Sequence, residues 1–197
     1  MITNYSSLKY FLSQDARNYP KRTSGLLRRL RNNCGANPIS DQKYIWAYIK
    51  SLRYLEYYIN KTQKPWDIFF RLYYNEKLKR LSYKTGFQIP PNTIDEGLTI
   101  YHWGPIIINE HSHIGKNATL QPLITIGHKK PGGGCPQIGD NVIIGGGAKV
   151  IGNIVIGNNV EIAPNACIVH DCESNKVYGG IPAKVIRKKT KYEGSSD

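Results

Sequence analysis

A chain of 197 residues with 40% hydrophobic residues and a formal charge of +13 is long enough for one sizeable core and short for two independent domains. No apolar run reaches the ~18 residues that a bilayer span requires. The start, MITNYSSLKYFLSQDARNYPKR, has no basic block followed by an apolar one, so no signal peptide is expected and the protein is expected in the cytoplasm. Residues 1–85 carry 17 Lys/Arg against 5 Asp/Glu, a balance of +12, whereas residues 86–197 carry 10 against 9. The basic surface therefore belongs to the N-terminal part, where the partners it suits are anionic: nucleic acid, a membrane face or an acidic glycan. No nucleic-acid-binding motif accompanies the charge, so nucleic acid is not an expected partner. The four cysteines, Cys34, Cys135, Cys167 and Cys172, have neither CxxC nor Cys/His spacing, which argues against a metal site or a disulfide framework.

Residues 1–85 read as a helical region of three or four helices. SDQKYIWAYIKSLRYLEYYIN places Ile45, Ile49, Leu52 and Leu55 near helical spacing after a polar start. Pro65 opens PWDIFFRLYYNEKLKRLSYKTG at a position proline favours, and Gly86 closes it where a left-handed cap residue is expected. The many tyrosines at helical spacing fit core packing and snorkelling surface better than base stacking.

From residue 108 the period changes to six. Ile108, Ile114, Leu120, Ile126, Ile138, Ile144, Val150, Ile156, Ile162 and Ile168 keep one phase, broken only at Gly132, and Ala118, Ile124, Val142, Ala148, Ile154, Val160 and Ala166 make the fifth residue of their hexads apolar as well. An α-helix smears such a repeat around its circumference, and a simple strand alternates every second residue. Two inward residues separated by two and followed by a small or polar pair describe a short strand that ends in a corner. Three such strands make a triangular coil. Coils stacked ~4.8 Å apart bring residues eighteen apart into columns, such as Leu120, Ile138 and Ile156, or Ile126, Ile144 and Ile162. The count is interrupted at GHKKPGGGCPQ, residues 127–137, a Pro/Gly-rich loop that leaves the solenoid and returns in phase. Such an excursion suits function better than structure.

Tandem [LIV]-G-x-x-x-x units such as IGDNVIIGGGAKVIGNIVIGNN resemble the hexapeptide-repeat acyltransferases. KTGFQIPPNTIDEGLTIYHWGPIIINE and VYGGIPAKVI are most similar to the serine acetyltransferase branch and its relatives in polysaccharide O-acetylation. The resemblance implies a mainly β fold: a left-handed parallel β-helix of hexapeptide repeats over residues 86–187, with the protruding loop at 127–137. An N-terminal α-helical region, 1–85, precedes it, and a basic and polar tail, 188–197, follows. It also implies acetyl-CoA as donor, no metal, and a homotrimer with active sites between adjacent β-helices.

Acetyl transfer from a thioester to a hydroxyl needs a base for the hydroxyl proton and donors for the tetrahedral oxyanion, and histidine suits the base role near neutral pH. His102, in GLTIYHWGPIII, resembles the catalytic histidine of the serine branch, although counting in sixes places it in the inward phase unless Gly104 and Pro105 break the register. His128, at the mouth of the loop, resembles that of the galactoside and maltose branch and is the alternative base. His111 and His113 read as surface residues. Gly145, Gly146 and Gly147 offer a thin backbone that a pantetheine arm can approach. Resemblance to the galactoside branch aligns Gly146, Pro164, Val169, His170, Lys184 and Arg187 with coenzyme A contacts, and the two cations suit its polyanionic nucleotide end.

Where the serine branch holds charged groups, this chain has Gln88, Tyr101, and Gly134 with Cys135. A serine zwitterion without counter-charges is poorly bound, so Gln88, Tyr101, Trp103 and Cys135 are expected to meet a sugar instead. The leading expectation is a polysaccharide or precursor O-acetyltransferase. Its acceptor is a glycan or lipid-linked sugar, and the basic helices offer contact with an anionic membrane. The alternatives are serine O-acetylation, sugar N-acetylation and a non-catalytic trimeric scaffold. Asp95, Glu96 and Glu110 are the carboxylates near His102 in sequence, with no choice between them as its orienter.

Overall fold

The computed structural model describes residues 1–19, 42–61 and 64–189. Cys34 and part of the stretch expected to hold three or four helices lie outside the described residues. Among the described residues of that stretch there are three α-helices: α1 (Tyr5–Asp15), α2 (Gln42–Asn60) and α3 (Asp67–Thr85). Asn4 caps α1 by accepting from the Ser7 N–H at 2.8 Å, while Ser7 Oγ accepts from the Asn4 N–H at 3.1 Å, a reciprocal capping box. The α2 stripe buries Ile45, Ile49, Leu52 and Leu55 as its spacing predicts, and Tyr48 with them. Pro65 sits in the turn just before α3, and Gly86 ends that helix with φ of 80°, a left-handed conformation in which a Cβ is unfavourable. Between α2 and α3 the tyrosines stack on one another, Tyr54 on Tyr74 at 4.8 Å and Tyr58 on Phe70 at 5.2 Å. They serve packing there.

The remainder is a left-handed parallel β-helix with three faces. The first face stacks β1 (Phe87–Gln88), β3 (Ile106–Ile108), β6 (Ile124–Gly127), β9 (Lys149–Ile151) and β12 (Cys167–Ile168). The second stacks β4 (His113–Ile114), β7 (Gln137–Ile138) and β10 (Val155–Ile156). The third stacks β2 (Thr99–Ile100), β5 (Thr119–Leu120), β8 (Ile143–Ile144), β11 (Glu161–Ile162) and β13 (Lys176–Gly180), and β14 (Ala183–Lys188) turns back antiparallel along β13. The inward aliphatics of all three faces form one continuous core. At the corner between the second and third faces, Asn117, Asn141 and Asn159 adopt φ between 55° and 57°. Asparagine tolerates this left-handed region better than other side chains with a Cβ. Their amides form rungs from coil to coil, Asn117 to Asn141 at 3.1 Å and Asn159 to Asn175 at 3.0 Å.

Two departures from a strict six count shape the molecule. Ile138 pairs with Ile156 and Ile144 with Ile162, eighteen apart as expected. Leu120, however, pairs with Ile144 and Ile126 with Val150, so the expected Leu120–Ile138 and Ile126–Ile144 columns do not form. The loop consumes one whole hexad outside the coil. Inward phase survives, but every later strand moves on by one face. The second departure is at the first coil, where Ile100 pairs with Leu120, twenty residues on. The corner 101–105 is two residues longer than the corner 121–123 beneath it. Ile100 therefore takes the inward place that counting assigns to His102.

The helices are fastened to this coil by a buried charge cluster. Arg53 donates to Asp15 at 2.8 Å and Glu56 at 3.0 Å, and to the carbonyls of Ile94 and Asp95, each at 2.7 Å. Asp15 in turn accepts from the N–H groups of Gly97 and Leu98, and Glu56 from that of Asn92. All three side chains are buried, so their lone pairs and protons must be met within the protein.

Candidate active site

Each corner of the β-helix runs the length of the prism as an edge, and most of the expected site residues fall on two of the three edges, with Gln88 on the first face and Lys184 and Arg187 on β14. The edge from the third face to the first carries, coil by coil, 101–105, 121–123, 145–147 and 163–165. The chain bonds across it from coil to coil: Leu123 N–H to Pro105 O at 2.6 Å, Gly147 N–H to Pro122 O at 3.0 Å, and Asn165 N–H to Gly146 O at 2.8 Å. His102, Gly146 and Pro164 therefore share one edge, with the β13–β14 hairpin and its exposed Lys184 beyond it on the third face.

Tyr101, His102 and Trp103 are all exposed. Their corner is held from behind by the helical half. Gln42 Nε2 at the start of α2 donates to Tyr101 O at 3.1 Å, and the Gly104 N–H donates to Thr85 O, at the end of α3, at 2.8 Å. Gly104 has φ of 139° and faces Pro122, which a Cβ would approach to 2.9 Å, so this tight corner admits only glycine there. Neither Gln42 nor Thr85 was marked by any sequence signal, since each acts on backbone far away along the chain. Gln42 Oε1 is buried without a partner.

None of the three carboxylates near His102 in sequence reaches it. Asp95 Oδ2 lies 3.3 Å from His113 Nε2, Glu96 pairs with Lys116 at 3.2 Å, and Glu110 lies 3.8 Å from His111. Gln88 is exposed on the first face, beside Ile107 in register.

His128, Val169 and His170 lie on the other edge, from the first face to the second. There the side chain of Asn109, which no sequence signal indicated, contacts His128 Nδ1 through Nδ2 at 3.1 Å. The orientation of that amide is fixed from its other side. Asn109 Oδ1 accepts from the His111 N–H at 3.0 Å and from the Cys135 thiol at 3.2 Å, so its NH₂ faces His128. Neutral His128 then accepts at Nδ1 and carries its proton on Nε2. The nitrogen it turns outward is a donor, which suits oxyanion stabilisation and not proton abstraction. Cys135 is buried at the base of the loop on this same edge, away from Tyr101 and His102.

The three glycines differ. A Cβ on Gly145 would come within 2.6 Å of Pro164 N, and one on Gly147, whose φ is 77°, within 2.1 Å of Asn165 Oδ1. Stacking of the next coil explains both. A Cβ on Gly146 would meet nothing closer than Pro122 O at 3.4 Å, so the fold does not require glycine there. Its N–H donates to Gln121 Oε1 at 3.1 Å. Among the described residues no cluster of three His, Cys, Asp or Glu side chains is arranged to hold a metal ion.

Residues 135–170 match the family described as bacterial transferase hexapeptide (six repeats). The chain is 36% identical to a serine acetyltransferase of Staphylococcus xylosus over 107 residues, 53% of this chain and 50% of that protein. It is 38% identical to that of Staphylococcus aureus strain N315 over the same length and shares. The chain thus spans about half the length of the curated relatives it matches. Among solved structures, Neisseria gonorrhoeae serine acetyltransferase is similar with a TM-score of 0.60 at 24% identity, covering 94% of this chain and 66% of that one. A serine acetyltransferase in complex with CoA is similar with a TM-score of 0.66 at 20% identity, covering 92% and 71%. At these identities the structural likeness establishes the fold.

Proposed function

We propose that this chain, which carries the hexapeptide repeats of the bacterial transferase family, is an acetyl-CoA-dependent O-acetyltransferase with His102 as its general base. The observation that carries the reading is the shared edge. An exposed histidine, held in place by two helices, stands in line with Gly146, the one glycine of the 145–147 triplet whose missing Cβ is not explained by packing. A thioester arm laid along Gly146 and Pro164 points its acyl end toward the His102 corner, and Lys184 and Arg187 suit the phosphates at its far end. His102 removes the hydroxyl proton as the acceptor oxygen attacks the thioester carbonyl. It then returns that proton to the departing sulphur, so the histidine ends as it began. The Nε2–H of His128 is suited to stabilise the oxyanion.

His102 and His128 occupy different edges of one prism. A site that uses both draws one edge from each of two copies, so we propose a homotrimer with a site at each junction.

The relatives named serine acetyltransferase favour L-serine as acceptor over the sugar hydroxyl expected from sequence. A sugar remains the second reading because of one observation. Gln88 and Tyr101, at positions where the serine branch is expected to hold charges, are exposed and uncharged, and Cys135 is buried. Coenzyme A release from acetyl-CoA, measured with L-serine and with a panel of neutral and acidic oligosaccharides, separates the two. Release with serine establishes the first reading, release with an oligosaccharide alone the second, and an absence of release with every acceptor contradicts both.

A further inference from the structure

Among the described residues of the helical half, α3 and the turn before it carry a run of exposed large apolar side chains. Trp66, Ile68, Phe69, Leu72 and Tyr73 are each between 57% and 71% exposed. Five large side chains this open within eight residues exceed the scattered apolar exposure of ordinary surfaces. They are contiguous: Ile68 and Leu72, and Phe69 and Tyr73, are one turn apart and stack along one side of the helix, with Trp66 at its start. The inner side is spent on α2 through Phe70 and Tyr74, which stack on Tyr58.

Cations surround this ridge. From 64 to 84 the chain holds Lys64, Arg71, Lys77, Lys79, Arg80 and Lys84 against Asp67 and Glu76. Both carboxylates are already engaged, Asp67 by Lys61 at 2.8 Å and Glu76 by Arg80 at 2.9 Å. Lys64 lies over the Trp66 ring at 5.5 Å and Lys77 over that of Tyr73 at 5.6 Å, so charge and aromatic surface are interleaved.

We propose that this ridge docks on an anionic bilayer surface, with Trp66, Phe69 and Leu72 entering the headgroup region and the surrounding Lys and Arg side chains meeting lipid phosphates. Charge decides the occupant. A second copy brings the same excess of cations against its own likeness, and the segment 20–41 of this chain holds Lys21, Arg22, Arg28, Arg29 and Arg31 against Asp41 alone. An apolar ridge ringed by cations complements a surface that is oily beneath and negative above. α3 ends at Thr85, whose carbonyl accepts from the Gly104 N–H of the corner carrying His102, so one helix joins the ridge to that corner. The docking does not depend on which acceptor is used, nor on catalysis.

The test is co-sedimentation of the purified full chain with vesicles of phosphatidylcholine alone and of phosphatidylcholine mixed with phosphatidylglycerol, alongside the Phe69→Ser, Leu72→Ser double variant. Wild type is expected to bind the anionic vesicles and to leave the neutral ones in solution, with about a tenfold or greater loss in the variant. Equal binding by variant and wild type, or no binding to anionic vesicles, overturns the proposal. So does a variant that falls to a smaller assembly by light scattering, because the ridge is then a contact between copies. Should the variant not fold, Trp66 emission in a Trp46→Phe, Trp103→Phe background decides. A blue shift on adding anionic vesicles supports docking, and an unmoved spectrum overturns it.

Discussion

Gly145, Gly146 and Gly147 are identical side by side in the sequence, and their neighbours give them different tasks. Gly145→Ala pushes a methyl into the backbone of the next coil, and Gly147→Ala adds a Cβ at positive φ against Asn165. Each is expected to lower stability by about 2 kcal/mol or more in a denaturant titration. Gly146→Ala is expected to melt within about 0.5 kcal/mol of wild type while raising the KM for acetyl-CoA several-fold, since the added methyl occupies the surface along which we lay the donor. An unstable Gly146→Ala, or one with unchanged KM, contradicts that placement. The triplet was legible in the sequence as a close-approach site. Which of the three is free for a ligand was not, because the answer lies in atoms eighteen and more residues away. The same limit hid Asn109, whose amide sets the tautomer of neutral His128 from nineteen residues upstream.

At the scale of elements, the join between helices and β-helix rests on Arg53. Burial presses its guanidinium toward the neutral form, but Glu56 and Asp15 outweigh that and hold it charged. Burial pushes the Glu56 carboxyl above the usual carboxylate range, against the pull of Arg53. Arg53→Met leaves two buried carboxylates without a counter-charge and is expected to cost about 3–5 kcal/mol at neutral pH. The sign with pH follows from Glu56. Without Arg53 its folded-state pKa rises further above the unfolded value, so the folded variant binds more protons than the unfolded chain and loses stability as pH rises. Chemical denaturation at pH 5 and pH 8 is expected to show a wider gap to wild type at pH 8; a gap that does not depend on pH contradicts the assignment. α2 and the hexad period were readable because each buries a repeating stripe, and α3 was readable from Pro65 and Gly86 at its ends. The cluster was not, since Asp15, Arg53 and Glu56 look like ordinary surface charges until the chain closes around them. Corner length was half readable. Gly104 and Pro105 signalled a possible break ahead of Ile106, while the face-by-face shift after the loop required knowing that six residues leave the coil.

For the whole molecule, the helical half supplies the charge, the ridge of α3 and the backstop of the His102 corner, while the β-helix supplies two chemically distinct edges. No helix among the described residues is long and apolar enough to cross a membrane. If one copy provides the His102 edge and its neighbour the His128 edge, then mixing inactive His102→Ala with inactive or weakened His128→Ala chains is expected to restore part of the activity upon subunit exchange, because some junctions then pair two intact edges. Strict additivity of the two residual activities contradicts a shared site. Coenzyme A release by wild type, His102→Ala and His128→Ala, measured with the best acceptor, decides whether His102 is the base. Loss of a general base lowers the rate by about 10²–10⁴-fold. That loss is expected for His102→Ala, with a smaller loss for His128→Ala, whose outward nitrogen is a donor. Release undiminished in His102→Ala, or abolished in His128→Ala alone, would contradict it.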